Sequence, residues 1–494
     1  MKIYGIDERG AAELTAAGYT VCPVYGKAAF GGTAEDLFRA LRAVDNHVFL
    51  LDSADDKART GRYSFLGFDP KAELTCRDGK TVITAGTRVE LGQPPHGYIR
   101  NMLAENKSPR REGLPPFTGG LVGYFSYDFI RYSEPSLDRP SGAETEDDGF
   151  NDVDLMLFDK IVAVDNLEKT IYYIVNVRLD ADNFATALRR AEKDIGYMAE
   201  LCASPAPAPA EGRLLEPLTP RFDRTEYAGI VARAQKHIRE GDIFQVVLSN
   251  KLSARFDGSL YGVYRALKTS NPSPYMFYFS SRDAEIAGAS PETLVRLERG
   301  KLTTYPLAGT RPRGGTAAED ARLERELLAD EKELSEHNML VDLGRNDLGK
   351  VSEFGSVKVE EYMNVEKFSC VMHIGSTVSG QLRAGCDALD AVEAVLPAGT
   401  LSGAPKLRAC EIVGELEGDR RGVYGGAVGY LAFTGDMDTC IAIRLAYKKN
   451  GRVCVRSGAG IVADSVPDKE YEECANKAKA IVKALGQAWP MHSA

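Results

Sequence analysis

"LMLFDKIVAV" (Leu155–Val164) and "TIYYIVNVRL" (Thr170–Leu179) crowd β-branched and aromatic residues into short runs, the composition of strands rather than helices. "HVFLLDS" (His47–Ser53) and "GGLVGYFSYD" (Gly119–Asp128) read the same way, and a helix is expected near Asn183 to Leu201. "ASPAPAPAEG" (Ala203–Gly212) then alternates Pro with Ala. Such a stretch makes neither helix nor sheet ladder and reads as an extended surface connector. Beyond it, Arg224 to Glu240 suits a helix closed by Gly241, "DIFQVVLSNKL" (Asp242–Leu252) a strand, Ala317 to Leu343 one long helix, and "GRVCVRSGAGIV" (Gly451–Val462) a strand. Helices do not alternate strictly with strands, which disfavours a doubly wound parallel sheet. The expected class is α+β with large antiparallel sheets. The expected organisation is an N-terminal domain over 1–203, a linker over 204–212 and a second domain over 213–494, the two free to interleave in space.

Composition narrows the functional classes. The chain has 494 residues, 44% hydrophobic and 27% charged, with a formal net charge of −10 and no Lys/Arg cluster, so nucleic acid is not an expected partner. No apolar run is long enough for a membrane span, and "MKIYGIDERGAAELTAAGY" (Met1–Tyr19) lacks the apolar core of a signal peptide and the Arg-rich, acid-poor bias of a transit peptide. A soluble, cytoplasmic protein is expected. Nine scattered cysteines with no C-x-x-C pair read as reduced thiols, not as disulfides or zinc ligands.

"DEKELSEHNMLVDLGRND" (Asp330–Asp347) carries Glu333, Glu336 and His337 on an expected helix, at spacings that gather them on one face. "VPDKEYEECANKAKA" (Val466–Ala480) repeats the pattern with Glu470, Glu473 and Lys477. Two E-x-x-E helices facing each other would offer four carboxylates, one nearby histidine and no cysteine, a hard oxygen site suited to Mg²⁺ rather than zinc. In "RSGAGIVADS" (Arg456–Ser465), Gly458 and Gly460 would let backbone N–H groups approach an anion closely. "GRNDLGKV" (Gly344–Val351) matches the glycines and lysine of a P-loop, but Val351 stands where Ser or Thr is required and a helix precedes it. No H-E-x-x-H, G-x-S-x-G or G-x-G-x-x-G occurs.

In chain order, "GASPETLV", "YPLAGTRPRG", "DEKELSEHNMLVDLGRND", "FSCVMHIGSTVSG", "PAGTLSGAPK", "GGAVGY" and "GAGIVADSVPDKEYEECANKA" resemble the motifs of the chorismate-utilising enzymes. The N-terminal half adds "LLDSAD", "GRYSFLG" and "PPFTGGLVGYFSYD", and the likeness is greatest to the anthranilate synthase component I branch. The resemblance implies antiparallel sheets packed as a sandwich with flanking helices. It implies Glu336 and Glu473 as Mg²⁺ ligands, supported by Glu333 and Glu470, with the metal holding the ring carboxylate of chorismate. Lys477, Thr400, Gly458 and Gly460 would complete that carboxylate's site, while Arg444 and Tyr424 would grip the enolpyruvyl carboxylate, where the Arg fork fits. Glu292 of "SPET" would protonate the departing ring hydroxyl, which requires a raised pKa. His373 would serve pyruvate elimination, Thr310 and Gln245 would be catalytic as well, and Ala308 and Gly309 of "PLAGT" would contact the substrate.

Within the family pattern, isochorismate and salicylate synthases carry a water-activating lysine where "GDIFQVVLS" has Gln245, and aminodeoxychorismate synthases commonly carry lysine at Ala308. Glutamine is no base, and ammonia needs none. Both positions favour anthranilate formation, the first step of tryptophan biosynthesis, over aminodeoxychorismate or isochorismate synthesis. A non-catalytic amino-acid sensor would have shed carboxylates that are all present. No glutamine amidotransferase nucleophile region occurs, so a separate glutaminase subunit is the expected partner, in a hetero-oligomer. The resemblance also implies feedback inhibition by tryptophan at a pocket built from Asp52 and Ser53 with Pro274, Tyr275 and Met276 of "NPSPYMFY", Asp52 standing where the family more often has Glu.

Overall fold

The computed structural model describes residues 1–53, 61–137, 148–180, 183–367 and 371–486. Among these, two large sheets, 14-stranded and 12-stranded, hold the strands, and every strand pairing within them is antiparallel. The chain is α+β, as expected.

The Pro/Ala connector separates the sequence but not the sheets. In the first sheet Val48–Asp52, from the N-terminal half, pairs with Tyr275–Ser280, placing Asp52 opposite Met276. In the second, Gly120–Phe125 pairs with Ala427–Ala432. Strands from both sides of residues 204–212 therefore share each sheet, and separating 1–203 from 213–494 would break both ladders. The run Leu155–Val164 is two strands: Val153–Phe158 belongs to the second sheet and Lys160–Asp165 to the first, with the chain changing sheets at Asp159. There the Asp159 carbonyl accepts from Asn176 N–H and its carboxylate pairs with Lys71 at 2.6 Å.

Strand alternation sends side chains to two separate cores. Phe49, Phe277, Ile286, Val295, Phe158 and Tyr430 pack between the sheets. Leu50, Met276 and Tyr278 point the other way, against Phe38 and Leu41 of the helix Ala34–Val44, Tyr264 and Leu267 of Tyr261–Ser270, and Ile481 of Pro467–Ala484. The Arg224–Glu240 helix has the expected bounds, opened by a capping box between Asp223 and Glu226 and closed by Gly241 in the left-handed conformation, which glycine adopts without steric cost.

The long helix expected over 317–343 is two, Ala317–Leu328 and Glu331–Gly349. Asp330 is extended, and its carboxylate accepts from the N–H groups of Lys332 and Glu333, so it caps a new helix instead of continuing the old one. The Gly344–Gly349 segment is the last turns of that helix, so the P-loop-like match is helical throughout.

Candidate active site

The E-x-x-E helices Glu331–Gly349 and Pro467–Ala484 bring their carboxylates into one electrostatic field. Burial raises the pKa of Glu336, and Glu333 on its own helix and Glu473 on the other push it further, against Lys477 and Lys332. Burial likewise raises Glu470, with Glu473 adding and a Ser465 hydrogen bond opposing. Besides the field of Lys332, two cations pair directly with this charge: Lys477 with Glu473 at 2.7 Å, and Arg311 with Glu333 at 3.3 Å and Asp330 at 2.7 Å. Half-buried carboxylates that repel one another and are only partly neutralised suit a hard divalent cation, and sulfur and imidazole are absent from the set. Their oxygens are not drawn into one tight cage. Among the described residues, the trio whose ligand atoms all lie within 4.8 Å is His237, Glu240 and Asp242, at the far end of the Arg224–Glu240 helix.

His337 does not join the carboxylates. Its side chain is 0% exposed, its Nε2 lies 2.6 Å from Ser376 Oγ, and burial pulls its pKa down to about 4. The spacing placed it beside Glu333 and Glu336, but the helix turns it inward, where it ties the helix to the strand Val371–Gln381.

The glycine strand Arg452–Ile461 lines the site floor. A Cβ at Gly458 would sit 2.8 Å from Leu248 O and 3.0 Å from the Tyr424 hydroxyl, and one at Gly460 would sit 2.5 Å from Gln245 Nε2. Only glycine leaves room for both side chains to lie over the strand. Lys477 Nζ donates to Gly458 O at 2.9 Å, which fixes the ammonium between floor and carboxylates. Arg444 donates to the Lys477 carbonyl at 2.6 Å and has φ +54°, a left-handed conformation unusual for arginine that turns its guanidinium toward the helix Pro467–Ala484.

Glu292 stands where the chain crosses from the first sheet to the second, between the strands Ala284–Ser290 and Thr293–Glu298. Ile441 N–H donates to its carbonyl at 3.0 Å. Burial pushes its carboxyl up to about 8, against hydrogen bonds from Thr400 Oγ1, 3.3 and 3.4 Å from its oxygens, and the charge of Lys477. At neutral pH Glu292 holds a proton it can give away.

His373 faces Thr310 across paired strands. Its Nδ1 is 2.9 Å from Gly309 O and 3.1 Å from Thr310 Oγ1. A carbonyl can only accept, so Nδ1 carries the hydrogen and Nε2 is the nitrogen able to take a proton. Burial lowers the imidazole pKa, the Gly309 bond opposes this, and nearby Arg444 lowers it again, so the ring is neutral at physiological pH. Ala308 is buried opposite Ile374, and a Cβ at Gly309, φ +65°, would lie 3.2 Å from Glu333 Oε2. The motif thus links His373 to the carboxylates. These contacts join His373, Glu333, Glu473, Gln245, Tyr424, Arg444 and Lys477 through the motif and the glycine strand, and the charge of Lys477 reaches Glu292, Glu336 and Glu470.

The second group of sequence-derived residues borders a different space, a cavity of about 440 Å³ between the sheets, lined by Leu51, Pro274, Tyr275, Arg296, Tyr430 and Asp438 among others. Asp52 and Met276 also border it, but their side chains belong to the helix side. The Asp52 carboxylate accepts from Lys268 Nζ at 2.7 Å, Ser64 Oγ at 2.7 Å and the Tyr264 hydroxyl at 3.2 Å. Those bonds commit the carboxylate to the helix side: alternation in the strand Val48–Asp52 turns it to the Tyr261–Ser270 helix, and Met276, opposite it, turns the same way. Ser53 follows Asp52, its N–H bonded to that carboxylate at 2.9 Å, and residues 54–60 lie outside the described set. Arg296 and Asp438 were not legible as cavity residues in the sequence, since neither falls in a marked motif. Tyr275 joins cavity and active site, its hydroxyl 2.8 Å from the hydroxyl of Thr293, the residue after Glu292, and 2.9 Å from Asp438.

The comparisons with known proteins give the family. A chorismate binding enzyme model matches residues 46–483. Anthranilate synthase component 1 of Pseudomonas aeruginosa is 45% identical over 450 residues, 89% of this chain and 90% of that protein, and the Acetivibrio thermocellus protein of the same name is 43% identical with the same coverage. The crystal structure of anthranilate synthase component I from Streptococcus pneumoniae superposes with a TM-score of 0.74 at 37% identity, covering 86% of this chain and 93% of that one. The menaquinone-specific isochorismate synthase of Escherichia coli shares the fold at 19% identity, TM-score 0.67. On these matches the chain belongs to the chorismate-binding enzymes, in their anthranilate synthase component 1 group.

Proposed function

We propose that this chain converts chorismate and ammonia to anthranilate, pyruvate and water. The observation that carries the reading is Glu292, a carboxyl whose burial keeps it protonated near neutral pH beside Thr400 and within the field of Lys477. Lys477, Thr400 and the Gly458–Gly460 backbone hold the ring carboxylate, and Arg444 with Tyr424 holds the enolpyruvyl carboxylate. Ammonia adds at C2 as the C4 hydroxyl leaves as water with the Glu292 proton. The C2 proton is then removed, the enolpyruvyl methylene is protonated and pyruvate departs, with neutral His373 the group placed to move that proton. Gln245, over Gly460, can orient ammonia but not deprotonate water, which disfavours isochorismate formation, and buried Ala308 offers no amine for a covalent route.

Glu336 and Glu473, with Glu333 and Glu470, would hold Mg²⁺, which when bound supplies charge neutralisation for the ring carboxylate. The partner we infer is a separate glutamine amidotransferase subunit that supplies ammonia, in keeping with the "component 1" of the relatives' names. Tryptophan is the regulator proposed for the 440 Å³ cavity, acting by linkage through the Tyr275–Thr293 contact beside Glu292.

The test mixes the purified chain with chorismate, Mg²⁺ and an ammonium salt and follows anthranilate fluorescence. Anthranilate should form with ammonium, and not with glutamine alone. Isochorismate or aminodeoxychorismate as the product would overturn the reading.

A further inference from the structure

Behind the site lies a side chain buried away from the cleft. Arg421, 2% exposed, follows the helix Lys406–Glu417 and spends its planar fork on three chain segments at once. Nε and NH2 donate to Glu417 at 2.9 and 2.5 Å, NH1 to the Leu401 carbonyl at 2.5 Å, and NH2 also to the Val247 carbonyl at 2.7 Å. Leu401 is the neighbour of Thr400, which meets Glu292. Val247 lies opposite Gly460, two residues beyond Gln245. The guanidinium also lies 4.6 Å from the Tyr127 ring centre and 5.9 Å from that of Tyr424. Glu417 is held in turn by Ser249 N–H at 2.6 Å, Ser249 Oγ at 2.9 Å and Arg456 at 3.1 Å.

We propose that Arg421, locked by Glu417, is a positioning residue for the reaction, keeping Thr400 aimed at Glu292 and the strand Gln245–Asp257 in register with the glycine floor. The inference rests on the activity proposed above. A buried ion pair kept for stability alone needs only charge balance, and apolar residues of similar volume often replace such pairs without loss. The Arg421 pair does more: two of its donors serve carbonyls on separate segments, Leu401 and Val247, each next to a group of the site. Lysine would keep the charge but, with a single ammonium, could not span both carbonyls and the carboxylate.

Arg421→Lys is therefore the diagnostic variant. Its kcat should fall about ten- to a hundredfold, the cost of a misaimed catalytic contact, while KM for chorismate stays within about threefold. The alkaline limb of kcat, normalised to free ammonia, should move to higher pH, because the Thr400 bond that opposes the raised Glu292 pKa is loosened. Thr400→Val should likewise lower kcat and move the alkaline limb to higher pH, and the losses should be less than additive in the double variant, the mark of residues that share a contact. Additive losses with an unmoved alkaline limb would overturn the proposal. Glu417→Gln, which weakens the clamp and keeps its shape, should give the same changes in smaller degree. If neither Arg421→Lys nor Glu417→Gln melts cooperatively, the pair serves the fold and the proposal is wrong. Wild type in the same assay separates the two readings: another product would refute the proposed activity, while the cycle run on that product would still test Arg421.

Discussion

Two clusters of ionised side chains answer burial in opposite ways. In the inner one, Lys251, Arg421 and Arg456 interleave with Glu417, Asp419 and Asp148, each carboxylate meeting a cation. Burial would raise Asp419, but Arg456 and Lys251 outweigh it and hold its pKa below the usual carboxylate value. In the cleft, Glu333, Glu336, Glu470 and Glu473 have Lys477 and Arg311 beside them, and burial raises Glu336 and Glu470, with Glu333 and Glu473 adding to the first and Glu473 to the second. The same residue types thus store stability in one place and strain in the other. A protein with 494 residues to arrange could have neutralised the cleft and did not, which is how a site for a cation and a dianion is expected to look.

The contrast can be broken most directly at the carboxylates proposed to hold Mg²⁺. Glu336→Gln or Glu473→Gln should cut turnover about a thousandfold or more, the several kcal/mol expected of lost metal and substrate anchoring. The same change should leave the melting temperature unaltered or higher, because it removes repulsion. A large drop in melting temperature would mean that these glutamates are structural. Excess chelator should silence the wild type in the same assay.

Breaking the inner cluster should do the reverse. Arg456→Met takes one buried cation from both Glu417 and Asp419, leaving them Arg421 and Lys251, and should cost about 3–5 kcal/mol in a denaturant titration. Acid should act in the same direction: Asp419, depressed in the fold, stabilises above its unfolded pKa and loses that contribution as pH falls through its folded pKa. Glu336 and Glu470, raised in the fold, do the opposite, so Glu336→Gln should help stability more at neutral than at acid pH.

A smaller effect concerns the acid itself. Rates normalised to free ammonia should fall about tenfold per pH unit above about 8 as Glu292 loses its proton. A profile flat through that range would remove Glu292 from the acid role. Smallest of all, Leu51→Phe, which narrows the cavity without touching the cleft, should weaken tryptophan inhibition about tenfold and leave uninhibited turnover within about twofold. Equal inhibition of both proteins would detach the cavity from regulation.

What was legible in the sequence was local. β-Branched runs announced strands, Gly241 announced a helix end, and two E-x-x-E spacings announced carboxylates on helical faces, because periodicity and capping act over a few residues. The family resemblance implied Glu292, His373, Tyr424 and Arg444 as neighbours of one substrate. Tertiary structure decided the rest. Asp330 became a cap and split a helix, Asp159 became the corner between sheets, and His337 turned into the core although its spacing matched its glutamate neighbours. Asp52 and Met276, one step along strands whose neighbours face the cavity, face the helices instead. Arg421 carried no motif that marked it, for its role exists only where Leu401, Val247 and Glu417, far apart in the chain, converge on one guanidinium. Short-range patterns can be read residue by residue, whereas the direction of a side chain and the neutralisation of a charge depend on partners that only the folded chain brings together.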